Sequence, residues 1–178
     1  GRRRTVAGMT SETAPTFTVM LPVNRSPELL GFAIASVLEQ RRRDFELIVI
    51  CDGAPPATVA LAQRFLEDAR VRVKVHPKGP HRGEVWRHAA LGEARGRYVC
   101  QLGDDDLWLP EKTAKQVRFL DEHPGFGMVL CDIMQVDRDG NDIGPIHRRD
   151  FIPEDGHVLR WVLRQPALAP LSAMFRRE

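Results

Sequence analysis

With 178 residues, 43% of them hydrophobic and 28% charged, the chain has the length and composition of one globular domain with a sizeable core. The net charge of +2 is too small to indicate a nucleic-acid-binding protein, and no apolar run is long enough for a membrane span. Cys51, Cys100 and Cys131 stand singly in apolar runs, which excludes a CxxC zinc site and indicates buried thiols of a reducing compartment.

The first half of the chain alternates between strand-like and helix-like patterns. Residues 16–23 form a predicted strand, and Ser26-Pro27-Glu28 then supply the capping hydroxyl, proline and acid of a helix N-terminus. Residues 45–52 are a nearly unbroken apolar run, typical of a parallel strand buried on both faces. A helix over 57–68 and a more exposed strand over 71–75 follow.

The second half begins with the same alternation. A helix over 84–94, a strand over 97–102 and a helix that starts at Pro110 are predicted in turn. Residues 126–136 form a further predicted strand. Repeated strands and helices with short connections indicate an α/β fold whose sheet is mostly parallel.

No composition shift or linker divides the rest of the chain. Asp139-Gly140 is a hairpin turn signal, and a short helix over 155–164 and a final strand over 170–175 follow. The first 15 residues, rich in Arg, Thr, Ser, Gly and Ala, predict a flexible leader. Residues 16–178 therefore predict a single α/β domain.

Charged residues follow the predicted strands at the edge where the parallel strands end. Asp52 ends the second strand, Arg82 lies in the loop before the third helix, and Asp104, Asp105 and Asp106 follow the fourth strand. Ligands of such sheets collect at this edge. Adjacent carboxylates repel one another, so the aspartate run needs a positive partner unless it is only a solvated turn.

A divalent cation is one possible partner of the aspartate run. Mg²⁺ and Mn²⁺ take oxygen ligands and commonly combine one or two carboxylates with the phosphates of a substrate. A short acidic turn leaves coordination positions open for such phosphates. The residues alone leave two interpretations open, a metal site and a strand terminator that caps a turn.

Three blocks of sequence, in order, are similar to one protein family. The blocks are LPVNRSPELLGFAIASVLEQ, DFELIVICDG and ARGRYVCQLGDDDLWLPEK. From about residue 17 to its end, the chain resembles the nucleotide-sugar-binding part of an inverting family 2 glycosyltransferase of the GT-A fold. The resemblance implies a Rossmann-like three-layer sandwich with a mostly parallel central sheet.

The resemblance also implies roles for individual residues. The residues expected at the donor are Pro22, Asp52, Arg82 and Asp104. Asp52 would accept a hydrogen bond from the base N–H, since a carboxylate is an acceptor only. Asp105 is the expected direct ligand of Mn²⁺ or Mg²⁺, with Asp104 as a second ligand. Asp106 would contact the sugar or support the turn, and Trp108 would pack under the site.

The implied activity is a metal-dependent transfer of a sugar, with inversion, from a nucleotide-diphosphate sugar to an acceptor hydroxyl. A UDP- or TDP-sugar is the favoured donor, no nucleic-acid partner is expected, and the acceptor and oligomeric state stay open. The implied location is the cytoplasm, with the cytoplasmic face of the membrane as a second location. The general base is expected beyond Glu178, in a domain truncated on its acceptor side.

Several positions depart from the family pattern. Gly103 stands in place of the first acid of D-x-D-D, Cys51 in place of the first acid of D-D-G, and Asn24 in place of the aromatic of P-x-Y-N. His88 replaces an asparagine of the helix and is expected to be a partly exposed helical residue. A second hypothesis is therefore a catalytically impaired nucleotide-sugar-binding or assembly domain of the same fold.

Two other enzyme classes are less consistent with the sequence. A nucleotidyltransferase should carry a glycine-rich, basic phosphate loop after the first strand, and LPVNRSPEL has none. A dinucleotide-dependent oxidoreductase should carry GxGxxG at the same place, and that motif is also absent from the sequence.

Overall fold

The computed structural model describes residues 14–25, 28–137, 139–145 and 170–177. Most of the predicted leader, the predicted helix cap at Ser26 and Pro27, and the predicted helix over 155–164 lie outside these ranges. The described residues form a six-stranded sheet with helices packed on it and a separate two-stranded hairpin.

The secondary structure follows the predicted alternation. The strands are β1 Phe17–Val23, β2 Phe45–Asp52, β3 Val71–His76, β4 Tyr98–Gln101, β5 Met128–Val129, β6 Met134–Val136, β7 Asp142–Pro145 and β8 Met174–Arg176. The helices are α1 Leu30–Leu38, α2 Pro56–Arg64, α3 Glu84–Glu93 and α4 Lys112–Glu122. The predicted helix over 57–68 is α-helical only to Arg64, and a 3₁₀ turn carries it on to Glu67. The helices predicted to open at residues 26–28 and at Pro110 begin later, at Leu30 and Lys112.

The central sheet has the strand order β3-β2-β1-β4-β8-β5. β1 lies between β2 and β4 and is parallel to both, with Phe17 opposite Phe45 on one side and Tyr98 on the other. β3 is parallel to β2, and β8 runs antiparallel to both β4 and β5. The prediction of an α/β fold with a mostly parallel sheet is confirmed.

Helices cover both faces of the sheet because its central strands are apolar on both sides. All eight residues of β2 are buried, as its unbroken apolar run predicts. On one face, α1, α2 and α4 contribute to the larger core cluster, which includes Ile34, Ala62 and Leu120. On the other face, Ala90 of α3 packs with residues that include Ile48. The result is a three-layer sandwich.

The one continuous strand predicted over 126–136 is wrong. Two short strands replace it, β5 in the central sheet and β6 in the hairpin with β7. All three residues of β6 are exposed, so the apolar run does not mark a single buried strand. The hairpin signal at Asp139-Gly140 is confirmed, with Gly140 at φ +84°.

The predicted final strand begins later than its apolar pattern suggests. A 3₁₀ turn over Pro170–Ser172 comes first, and β8 starts at Met174. The longest described helix, α4, has 11 residues, and no helix in the described part of the chain has the length and hydropathy of a membrane span.

Gly96 provides a test of the packing between β1 and the segment that enters β4. A Cβ at this position would lie 2.4 Å from the backbone nitrogen of Thr18 and 2.5 Å from the backbone carbon of Phe17. We expect Gly96→Ala to lower the free energy of unfolding by about 2 kcal/mol, because a backbone contact cannot yield as a side chain can. Urea unfolding followed by circular dichroism measures the change.

Gly92 in α3 is the matched control, since a Cβ there meets no atom within 4 Å. Gly92→Ala should raise the stability by about 0.5–1 kcal/mol through helix propensity. Equal unfolding midpoints for the two variants would contradict the packing described for Gly96.

Candidate functional site

A cavity of about 170 Å³ opens at the edge where β1 and β2 end. The four residues predicted at the donor all line it: Pro22, Asp52, Arg82 and Asp104. The cavity is smaller than the roughly 300–1,000 Å³ of pockets that enclose a whole small-molecule ligand. A ligand of nucleotide size would therefore place one part in the cavity and extend over the sheet edge.

Asp52 ends β2 and is only 3% exposed. Its Oδ1 accepts a hydrogen bond from the backbone N–H of Gly79 at 2.6 Å, and its Oδ2 accepts one from the Lys78 ammonium at 2.9 Å. Burial raises the pKa of Asp52, but the Gly79 amide and Lys78 lower it more, so the carboxyl titrates below its usual range. An ionised carboxylate offers about four acceptor positions, which leaves capacity for a donor in the cavity.

The N-terminal end of α3 packs directly against Asp52. Gly83, the residue that precedes the helix, has φ +73°, and a Cβ there would lie 2.5 Å from Oδ2 of Asp52. A glycine is needed for both the conformation and the contact. The positive end of the helix dipole thus lies beside the carboxylate, which favours its ionised form.

Arg82 sits in a strained turn before α3. His81 and Arg82 have φ of +49° and +57°, in the left-handed region that side chains with a Cβ avoid. The Arg82 carbonyl accepts a hydrogen bond from Nη1 of Arg87 at 2.7 Å, which ties the turn to the helix. Such strain persists only where neighbouring contacts impose it, and it is concentrated at functional sites in proteins generally.

The positive partner of the aspartate run is Arg25, which follows β1. Its Nε and Nη2 donate to the two carboxylate oxygens of Asp104 at 3.2 and 3.0 Å. The same Nη2 lies 3.0 Å from Oδ2 of Asp105. Asp104 is 7% exposed, so without this guanidinium it would be a buried charge with a high desolvation cost.

Asp106 and Gly103 occupy neighbouring space in the same turn. Burial, and then the charges of Asp105 and Asp104, raise the pKa of the Asp106 carboxyl above its usual range. A Cβ at Gly103 would lie 2.5 Å from Oδ2 of Asp106 and 3.2 Å from Oδ1 of Asp105. The glycine in place of the usual acid therefore leaves room for the Asp106 carboxylate.

The pair Asp104 and Asp105 has the chemistry to share a cation. Each presents a carboxylate oxygen 3.0 Å from the same nitrogen of Arg25, so the two converge on one positive centre. In the part of the chain that the structure describes, no group of three or more His, Cys, Asp or Glu is placed to hold a metal ion. Two carboxylates fit an ion that also binds phosphate oxygens, and they do not form a closed protein cage.

Trp108 and His88 take the places expected of them. Trp108 is 5% exposed, its indole N–H donates to the Leu171 carbonyl at 3.2 Å, and the Lys112 ammonium lies 3.9 Å from its ring centroid. It packs in the larger core cluster and is not one of the residues that line the cavity. His88 lies exposed on α3.

Sequence reasoning did not identify three basic residues of this site. Arg25 and Arg87 line the cavity, and Lys78 holds Asp52 from the loop after β3. Arg25 follows a strand that neighbours β4 in the sheet, so a correct strand order would have indicated it. Lys78 and Arg87 carry no such signal, because their contacts depend on the course of a loop.

The description "Glycosyl transferase family 2" belongs to a family model that matches residues 18–178. The putative teichuronic acid biosynthesis glycosyltransferase TuaG of Bacillus subtilis (strain 168) is 31% identical over 167 residues, which are 92% of this chain and 63% of that relative.

Two solved structures share the fold. S. aureus TarS 1-349 in complex with UDP superposes with a TM-score of 0.72 at 19% identity, over 91% of this chain and 47% of that one. The mannosyltransferase PcManGT from Pyrobaculum calidifontis, in complex with GDP-Man and Mn²⁺, gives a TM-score of 0.59 at 23% identity, over 70% and 37%. The chain thus spans less than two thirds of the length of each of these relatives.

The lowered pKa of Asp52 predicts a pH-dependent contribution to stability. A carboxyl with a lower pKa in the folded state stabilises the fold above its unfolded pKa of about 3.9 and loses this contribution as the pH falls through the folded value. Asp52→Asn should lower the free energy of unfolding at pH 7 by about 1–3 kcal/mol, and the deficit should shrink below about pH 4. Urea unfolding at several pH values measures it.

Exposed Glu67 provides the control for the same change from acid to amide. Glu67→Gln should leave stability within about 0.5 kcal/mol of the parent at every pH. A deficit in Asp52→Asn that does not vary with pH would contradict the ionic role of Asp52.

The strain at Arg82 predicts a difference between two truncations. Arg82→Gly and Arg82→Ala both remove the guanidinium, but only glycine adopts a φ of +57° without a Cβ contact. The glycine variant should be more stable by about 0.5–1 kcal/mol, after allowance for its larger unfolded-state entropy. Equal unfolding free energies for the two variants would show that the turn is not strained.

Proposed function

The chain belongs to glycosyl transferase family 2 and has the GT-A fold, and on that premise we propose that the cavity binds a nucleotide-diphosphate sugar for glycosyl transfer. The observation that carries the proposal is the convergence of Asp52 and Asp104 on one cavity at the strand ends. Asp52 ends β2 and Asp104 follows β4, and the two acids are held by different cations, so the cavity has two distinct polar positions.

We assign the base of the nucleotide to the Asp52 end of the cavity. Uracil and thymine present an imide N–H, which suits an ionised acceptor with spare lone pairs. Pro22 lies beside this position in the same cavity wall. A UDP- or TDP-sugar is therefore the favoured donor, and TarS in complex with UDP supports the choice.

We assign the diphosphate to the basic side of the cavity. Arg82, Arg87 and Arg25 all line it, and a guanidinium binds phosphate oxygens through paired hydrogen bonds. The strained turn at Arg82 would hold its backbone at the cavity before any ligand arrives. These residues would bind and orient the donor.

Asp104 and Asp105 would hold Mn²⁺ or Mg²⁺ at the acidic turn, which consists of residues 104–106. When bound, the ion would neutralise the charge of the departing diphosphate. The presence of Mn²⁺ in the complex of PcManGT supports this assignment. Asp106 would support the turn or contact the sugar.

The described residues are assigned to the donor half of the reaction. Transfer with inversion to an acceptor hydroxyl needs a general base, which we propose to lie after Glu178. The greater length of TuaG is consistent with such a segment. A cytoplasmic location is proposed because Cys51, Cys100 and Cys131 are all free thiols.

Calorimetric titration tests the donor site. UDP should bind the purified protein with Mn²⁺ at least about tenfold more tightly than in EDTA, since the ion contributes a direct contact to the phosphates. Asp105→Ala should remove this gain and leave the affinity in EDTA unchanged. Asp132→Ala, which alters an exposed acid that does not line the cavity, is the control.

Titrations with TDP and GDP complete the experiment. We expect TDP to bind like UDP and GDP to bind more weakly. If none of the three nucleotides binds with or without Mn²⁺, the proposed function is wrong.

A second candidate function is nucleotide-sugar binding without transfer. The observation that favours it is the engagement of Asp104 and Asp105 by Arg25, which competes with a metal ion. Donor binding without sugar transfer or donor hydrolysis, measured with UDP-sugars and Mn²⁺, would support this function over the first.

A further inference from the structure

Arg25 combines a fixed backbone with a movable head group. Its carbonyl accepts a hydrogen bond from the hydroxyl of Thr58, a residue with no exposed surface, at 2.8 Å. Its side chain is 60% exposed and is held at its tip by the carboxylates of Asp104 and Asp105. The backbone of Arg25 is therefore held separately from its guanidinium, and the guanidinium can move without disturbing β1, which precedes it.

The guanidinium occupies the oxygens that a divalent ion would need. Nε and Nη2 engage both oxygens of Asp104, and Nη2 also contacts Asp105. Small divalent ions bind carboxylate oxygens at about 2.0–2.1 Å, which is closer than the 3.0 Å contacts of Nη2. Two cations at one pair of carboxylates repel each other strongly, so the guanidinium and the ion exclude each other.

A second position for the guanidinium lies nearby. Arg25 lines the same cavity as Arg82 and Arg87, on the side assigned to the diphosphate. A guanidinium that leaves the acidic turn would meet an anionic ligand in this cavity. The exposed side chain has the freedom for that movement, and its length keeps it within the site.

We propose that Arg25 is an exchangeable counter-cation of the acidic turn, which neutralises Asp104 and Asp105 before a divalent ion binds and engages the phosphates afterwards. The phosphate contact rests on the function proposed above. The exchange at the carboxylates does not, because it depends only on Arg25 and the two aspartates. Arg25 would thereby weaken metal binding to the empty protein and couple it to donor binding.

The proposal predicts opposite effects of one substitution on two ligands. Arg25→Gln should tighten the binding of Mn²⁺ alone by about fivefold, since it removes a competing ion pair. The same variant should bind UDP in the presence of saturating Mn²⁺ about tenfold more weakly, since a phosphate contact is lost. Damage to the turn would weaken both ligands together.

Electron paramagnetic resonance of free Mn²⁺ measures the first effect, and calorimetry with UDP measures the second. Arg41→Gln is the matched control, because Arg41 forms an exposed ion pair with Glu111. It should leave both affinities within about twofold of the parent. Mn²⁺ affinity that is unchanged or weaker in Arg25→Gln would overturn the exchange.

A measurement on the unsubstituted protein covers the case in which Arg25→Gln fails to fold. The Nε–Hε resonance of Arg25, assigned with Arg25→Lys, should shift as Mg²⁺ saturates the protein. An unchanged resonance would overturn the exchange.

The two proposals fail in different ways. Absence of UDP binding to the parent protein contradicts the proposed function. The Mn²⁺ titrations contain no nucleotide, so they still test the exchange of Arg25 with the ion. If neither the parent nor Arg25→Gln binds Mn²⁺, the exchange is wrong. If only Arg25→Gln binds Mn²⁺, the exchange is supported.

Discussion

The parallel register of β1 with β4 is the constraint on which the acidic turn depends. Met20 pairs with Gln101, and the Leu102 amide donates a hydrogen bond to the Met20 carbonyl at 3.0 Å. The parallel register of the two strands therefore continues one residue beyond the end of β4. This register places Arg25 and the turn after β4 at the same edge of the sheet, where the guanidinium reaches Asp104 and Asp105. A shift of one residue would turn the side chains to the opposite face and leave a buried carboxylate without its cation.

Two buried acids at this edge are stabilised in different ways. Asp52 has a backbone amide and a lysine as partners, and the end of α3 packs against it, so its surroundings are rigid. Asp104 has as its partner an exposed arginine side chain that other groups can replace. One end of the cavity is therefore preorganised, and the other end is adaptable. A ligand with a flat base and a flexible diphosphate would match this division.

Sequence reasoning recovered the features that depend on local pattern. Apolar runs and glycine turns indicated β1 to β4 and the β6–β7 hairpin, and the family resemblance is confirmed. The convergence of Asp52 and Asp104 followed from strand ends alone. Arg25 was missed because its role depends on the order of β1 and β4 in the sheet and on side-chain reach, which no motif encodes. β5 and β6 were merged because two and three residues are too few to show a period.

The close approach between Gly103 and Asp106 makes these two positions a single unit. A side chain at 103 and the carboxylate at 106 would claim the same volume, with only 2.5 Å between them. Replacing Gly103 by an acidic residue would add a carboxylate at position 103 and displace the carboxylate of Asp106. Any redesign of ion affinity at this turn has to vary both positions together.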